Sequence, residues 1–215
     1  MRSITNKIAL MLIVALIISF AAISAVSYYT AQSKVVQLVS QNQAQILKDV
    51  DAVTDSFFHD YMEVANKIAA AVGNTDNDGD AYMAQLKFQK YNANSLISFV
   101  FFGREDDGYF FQSDDTRLTP EKDNYDPRKR GWYMDAKAKN GAIYTEPYKP
   151  ATYNGLVVSF AAPVTKNGKF MGVIGFDIQI DALSKKILDM GKTEYGYVYV
   201  MNKDGLILIT IRARA

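Results

Sequence analysis

Cysteine is absent from the 215 residues, which excludes disulfides, thiolate metal sites and a cysteine nucleophile. A single histidine, His59, leaves little room for a histidine zinc site or a Ser-His-Asp triad. Charge of one sign is lacking as well. The 24 Lys+Arg nearly balance 23 Asp+Glu, for a net charge of +1, so the basic excess of a nucleic-acid binder is missing. No acidic residue precedes Asp49, and Ser33 to Val72 contains neither proline nor glycine. Repeats and low-complexity segments are not seen. What is present is apolar: 49% hydrophobic and 13% aromatic residues, ample for a packed core and incompatible with wholesale disorder.

The first feature is an uncharged run, Ile8 to Tyr29, of about 22 residues. As a helix rising about 1.5 Å per residue it measures about 33 Å, enough to cross a hydrocarbon core of about 30 Å. Arg2 and Lys7 precede it, which places the N-terminus in the cytoplasm and the remainder outside. Tyr28 and Tyr29 fall at the outer interface. A cleaved signal peptide is the competing reading, with Ala22-Ile23-Ser24 as a weak cleavage site. Its apolar core is normally only about 7–15 residues, so a retained anchor is preferred.

Beyond the anchor, Val39, Ile46, Val50, Val53, Phe57, Tyr61, Val64 and Ile68 recur mainly at steps of three and four. They mark one apolar stripe of a long helix over 33–72. The stripe predicts packing on the chain's own domain and on a second copy, a homodimer through the long helix; a core helix of a monomer is the alternative. His59 reads as a surface or packing residue. The loop Gly73 to Asp80 breaks the helix and partly fits EF-hand spacing, but Asn74 and Gln85 stand where carboxylates are wanted, so no metal is assigned. Asp80 is expected to cap a helix from Ala81 to about Tyr91.

The periodicity then changes. Leu96–Phe102 and Tyr109–Gln112 read as strands joined by the loop 103–108. Leu156–Val164 and Phe170–Ile178 form a hairpin across Asn167-Gly168, a strong turn signal. A short helix, Ile180 to about Met190, follows, and Tyr197–Met201 with Leu206–Ile209 begins a third hairpin across Asp204-Gly205. A long helix followed by antiparallel hairpins is an α+β plan that resembles PAS-type sensors.

Two stretches carry chemistry. Tyr125 to Tyr133 holds two Tyr, one Trp and two Arg in nine positions; Asp126-Pro127 marks a turn or a helix start, and the segment through Lys139 then reads as a short helix ending at Asn140-Gly141. Arg130 near that N-terminus, with the Trp132 and Tyr133 donors, suits a carboxylate. Asp177 is the sole charge in the apolar strand 170–178 and needs a partner or solvent. By alternation it shares a face with Met171, Val173 and Gly175. With Tyr125 and Tyr148 it offers acceptors or ring faces to an ammonium. Together these groups describe a site for a zwitterion, an α-amino acid. Taken singly, they favour the plainer reading, an internal Arg130–Asp177 salt bridge in an aromatic core.

Tyr125, Arg130, Trp132, Tyr133, Tyr148 and Asp177, with the phrases DPRKRGWY and GVIGFDI, resemble the amino-acid-binding motif of double Cache domains, the extracellular sensors of many bacterial chemoreceptors. The resemblance spans about residues 8–210. It implies that Arg130, Trp132 and Tyr133 bind the ligand carboxylate and that Tyr125, Tyr148 and Asp177 bind its amino group. Side-chain selectivity is expected from the neighbouring strand, at Phe111, Gln112 or Ser113. The resemblance also implies a Cache fold, no enzymatic activity, no cofactor and no nucleic-acid partner. Its expected organisation is a cytoplasmic N-terminus (1–7), a transmembrane helix (8–29) anchoring the chain in the bacterial inner membrane, a stalk helix (30–72), a periplasmic membrane-distal module with the site (73–192), and the start of a truncated membrane-proximal module (193–215). The same sensor on a histidine kinase or nucleotide cyclase, an anchored enzyme using Asp177 with a second carboxylate, and a structural domain without ligand are the alternatives.

Overall fold

The computed structural model describes residues 4–183, 185, 197–201 and 207–212. The chain divides into two units, up to Asp51 and from Ala52 onward; α1, Ile4–Gly73, contributes to both.

The first unit is helical throughout its described length. Among the described residues one helix, α1, is long and apolar enough to cross a membrane, with a mean hydropathy of 2.8 over its most apolar window. Leu10, Met11, Leu16 and Phe20 of this segment are all more than 60% exposed, a surface that suits lipid and not water. Its hydroxyls turn back onto the helix, Ser19 Oγ donating to the Ala15 carbonyl at 2.7 Å and Thr30 Oγ1 to the Val26 carbonyl at 2.8 Å.

The second unit is an antiparallel sheet with helices on both faces. Its elements are α2 (Gly79–Asn92), β1 (Ile97–Arg104), β2 (Phe110–Gln112), β3 (Arg117–Leu118), α3 (Pro120–Asp123), a 3₁₀ turn (Pro127–Lys129), α4 (Gly131–Lys139), β4 (Ile143–Tyr144), β5 (Val157–Lys166) and β6 (Lys169–Gln179). Spatial order is β3-β2-β1-β6-β5-β4, so β6 lies at the centre. Asn167 (φ 53°) and Gly168 (φ 78°) make the tight β5–β6 turn, the positive-φ pair that matches strand twist. A separate hairpin pairs β7 (Tyr197–Met201) with β8 (Ile207–Arg212); Asp204-Gly205 and Leu206 lie outside the described residues. Residues 180–183 are helical, and the expected continuation to Met190 falls largely outside the described residues.

One sheet face packs on the helices. Phe57, Tyr61, Ala65, Ile68, Ala69 and Val72 of α1 join Tyr82, Met83 and Leu86 of α2 over Val100, Phe102, Phe160, Ile174, Phe176 and Ile178. The α1 stripe thus continues as expected at Phe57, Tyr61 and Ile68, with Val64 partly buried. Val39 is exposed, and the side chains of Ile46, Val50 and Val53 lie outside the described ones. His59 is exposed. The opposite face packs on α4 through Trp132, Tyr133 and Ala136 over Phe101, Phe110, Ala161 and Val173.

Two local expectations are corrected and one choice is decided. The cap of α2 is Asp78, not Asp80: its extended backbone lets Oδ2 accept from the Asp80 and Ala81 amides at 3.1 and 3.0 Å, while Asp80 pairs with Arg117 at 2.5 Å. Asp126-Pro127 opens a turn, and the helix follows it from Gly131 to Lys139 after an extended Arg130 (φ −87°, ψ 144°). Met171 does not share the face of Asp177. Val164 pairs with Gly172 and Thr165 with Phe170, so Met171 is the extra residue of a β-bulge and turns to the helix-covered core. Gly172 takes φ 148° there, and a Cβ would strike the Gly103 carbonyl.

Phe160 and Phe176 stack at 5.3 Å between centroids and are both fully buried. Phe176→Ala is expected to cost about 3–5 kcal/mol, whereas Phe88→Ala on the exposed side of α2 (60% exposed) should stay within about 0.5 kcal/mol. Urea unfolding of the two variants checks this contrast.

Candidate functional site

On the α4 side of the sheet lies a narrow cavity of about 240 Å³, including its mouth. Five of the six residues singled out in the sequence line it: Tyr125, Arg130, Trp132, Tyr148 and Asp177. Phe101 and Phe110 floor it, and Gln112, Pro150, Ala151 and Thr152 complete the wall.

Each side chain arrives there for a local reason. Asn124 in the left-handed conformation (φ 51°) turns the chain after α3 and presents Tyr125. Asp126 caps the 3₁₀ turn by accepting from the Arg128 amide at 3.0 Å, and its carboxylate also holds the Arg128 guanidinium at 2.9 and 3.0 Å. Arg128 in turn donates to the Glu105 carbonyl at 3.1 Å, tying this loop to the β1–β2 connection. Arg130 then occupies the N-cap position of α4 without capping it. Its guanidinium is left to the cavity, 5.9 Å from the centroid of the Tyr125 ring. Tyr148 is fixed by paired backbone bonds with Val157 at 3.0 and 2.9 Å, and these close the loop 149–156 that carries Pro150 to Thr152. Thr152 Oγ1 donates to Gln112 Oε1 at 2.9 Å.

Asp177 stands opposite Ser159 on β5 and Phe99 on β1, with 2% of its surface exposed. Its Oδ1 accepts from Ser159 Oγ at 2.5 Å, and Ser159 Oγ lies 2.8 Å from the Tyr148 hydroxyl. Since Ser159 donates to the carboxylate, the Tyr148 hydroxyl donates to Ser159. Among the described residues neither Asp177 nor Arg130 belongs to an ion pair. The internal Arg130–Asp177 bridge is therefore not formed, although both groups line one cavity. Burial pushes the Asp177 carboxyl up to about 7, and the Ser159 hydroxyl draws it only partway back. Tyr125 is pushed up to about 12 by burial, lowered in part by Arg130 and raised further by Asp177. Burial, then Asp177, raises Tyr148 as well.

Tyr133 is placed elsewhere. It is buried beside Trp132, ring centroids 5.5 Å apart, and its hydroxyl donates to Glu105 Oε2 at 2.6 Å; Lys137 Nζ holds the other oxygen at 2.6 Å. Of the three residues expected to set selectivity, Gln112 lines the cavity. Phe111 faces the α1–α2 core, and Ser113 Oγ accepts from the Val100 amide at 3.1 Å. Ser159 and Thr152 were not singled out in the sequence. Ser159 carried a weak signal, as the lone hydroxyl among the apolar residues 156–164 facing the Asp177 strand.

The double Cache family model (Cache domain) matches residues 30–214, and the chain belongs to this family. Among curated relatives, the methyl-accepting chemotaxis protein McpG of Pseudomonas putida is 25% identical over 95% of this chain and 31% of its own length. McpA of Bacillus subtilis is 28% identical over 94% of this chain and 30% of its own. The chain thus spans just under a third of the length of these relatives. Among solved structures, the ligand-binding domain of the Pseudomonas aeruginosa amino-acid chemoreceptor PctC in complex with GABA superposes with a TM-score of 0.61, 24% identity, and 77% and 71% coverage of the two chains. That of Pseudomonas fluorescens CtaA with L-valine gives 0.62, 24%, and 75% and 70%. These likenesses establish the Cache fold, an α+β architecture with the long helix on an antiparallel sheet.

A stability measurement follows from the Asp177 environment. Unfolded, this carboxyl ionises near about 3.9; folded, near about 7. Between those values the folded chain keeps a proton that the unfolded chain has lost. Asp177 therefore contributes stability that is complete below about pH 4, falls by roughly 1.4 kcal/mol per pH unit up to about 7, and is level above. Asp177→Asn should remove that slope and make the empty protein the more stable of the two at pH 7.5. Urea midpoints of both proteins across pH 4.5–8 test this.

Proposed function

We propose that this chain is the ligand-binding region of a chemotaxis receptor for amino acids, held at the bacterial inner membrane by the apolar part of α1 with its sensor module outside. The observation that carries this reading is one cavity offering an unpaired guanidinium and an unpaired buried carboxylate. A zwitterion satisfies both at once, and the buried carboxylate alone would be a costly charge. Arg130, with the indole N–H of Trp132, takes the ligand carboxylate. Asp177, Tyr125 and Tyr148 take the ammonium. Tyr133 acts through Trp132, against whose ring it packs. The PctC and CtaA domains bind GABA and L-valine respectively, which supports the ligand class. The reading is of a binding module and not an enzyme, in line with the amino-acid chemoreceptor domain that the chain resembles.

The module with the site is assigned to 73–192 and the β7–β8 hairpin to the start of a membrane-proximal module. A second copy of the chain is assigned to the exposed Val35, Val36, Leu38, Val39 and Leu47 on α1 beyond the anchor.

Arg130→Ala is expected to weaken amino-acid binding by roughly 30- to several-thousand-fold with the fold intact. Calorimetry on the detergent-solubilised chain measures this, and unchanged affinity would sink the assignment. Amino-acid amides and decarboxylated amines should bind poorly to the unaltered protein for the same reason. A topology reporter fused after Val72 should report the extracytoplasmic side, and the protein should retain its N-terminus at Met1 or Arg2.

A further inference from the structure

The cavity contains one arrangement that ligand clamping alone does not require: the chain Tyr148–Ser159–Asp177. Ser159 is fully buried and sits in the middle, 2.8 Å from the Tyr148 hydroxyl and 2.5 Å from Asp177 Oδ1. Its one proton is committed to the carboxylate. The Tyr148 proton is then committed to Ser159, so the lone pairs of Tyr148 face outward. Among the described residues Ser159 is the single hydrogen-bond donor to Asp177, which leaves Oδ2 without a protein donor in a cavity-lining residue. No cation neutralises the carboxylate: Arg130 lines the same cavity but is not paired with it, and the nearest strand neighbours, Phe99 on β1 and Ser159 on β5, carry no charge.

We propose that Ser159 is a positioning residue of this site and that its relay makes capture of a ligand ammonium a proton exchange at Asp177. Empty, the carboxyl retains a proton on its cavity-side oxygen, because an ionised carboxylate there is buried and has no counter-charge paired with it. Filled, the ammonium supplies the counter-charge, the carboxyl ionises, and its proton leaves to solvent. The balance is one proton released for one cation bound, with no other bond made or broken. The burial that lifts the carboxyl to about 7 puts this exchange in the physiological range. The inference rests on the amino-acid reading of the cavity.

The other groups facing Asp177 do not titrate in that range. Tyr125, from the loop before the 3₁₀ turn, and Tyr148, before β5, both have raised values. Arg130 stands at the start of α4, and Gln112 of β2 has an uncharged amide. A receptor of this design reads its ligand and the external proton activity through one side chain: acid and ammonium compete for the same oxygen.

The test is calorimetric titration of the full chain in detergent with L-valine, L-alanine, L-isoleucine and γ-aminobutyrate. It is run at fixed pH in buffers of different ionisation heat, then across pH 5.5–8.5. Expected are a net proton release approaching one at pH 6, an affinity that drops about tenfold per pH unit below about 7, and a level affinity above it. Ser159→Ala removes the donor that favours the ionised carboxyl, so the break in affinity should move to higher pH, a displacement that a merely structural role would not produce. Binding without proton release, and with the same affinity at pH 5.5 and 8, overturns the exchange while leaving the amino-acid site standing. Failure of all four compounds to bind at any pH overturns the site itself. The wild-type proton count decides the matter even if the variant does not fold.

Discussion

A charge in the middle of an apolar sheet has to be balanced by something, and the position of Asp177 forces that problem on this fold. β6 is a central strand of the sheet, and Asp177 on it is 2% exposed and lines the cavity. Along most of β6 the residues are apolar and fully buried. Leaving one carboxylate there is tolerable only because Ser159 donates to it and because the space in front of it stays open to a cation or a proton. The strap 149–156, the extended Arg130 and the aromatic floor are arranged around that space.

The loop that brings Arg130 to the cavity owes its shape to groups that never enter it. Asp126 fixes the 3₁₀ turn and clamps Arg128, and Arg128 reaches the Glu105 carbonyl. Glu105 in turn receives Tyr133 and Lys137 from α4. The polar network on the outside of α4 thus sets where the helix begins, and hence where the N-cap guanidinium points. Tyr133 belongs to this supporting network by its hydroxyl and to the site only through the indole it packs against.

Much of the architecture was legible in the residues because it rests on periodicity and turn chemistry. The α1 stripe, the Asn167-Gly168 hairpin and the helix end at Asn140 each follow from rules of spacing or positive φ. Of the six residues read as one constellation, five line one cavity. What could not be read was the register. Counting back from the Asn167-Gly168 turn pairs Asp177 with Val158, whereas the bulge at Met171 pairs it with Ser159. One unpaired residue therefore decides whether the carboxylate meets a methyl group or a hydroxyl, and the bulge sets Gly172 against the Gly103 carbonyl where a Cβ would not fit, a close approach that no local pattern announces. The cap at Asp78 was missed for a related reason: several acidic residues in one loop offer equivalent caps, and only the backbone angles choose among them.

Adjacent residues of a strand point to opposite faces, and here that has a mechanical meaning. Asp177 looks into the cavity, while its neighbour Phe176 stacks on Phe160 and lies 6.0 Å from the ring of Tyr61 on α1. A single peptide unit separates the carboxylate that lines the cavity from the ring that meets the helix. Close-packed aromatics have little slack, so a shift of that strand would be felt at Tyr61. The partition between the cavity and the helix is one β-strand thick.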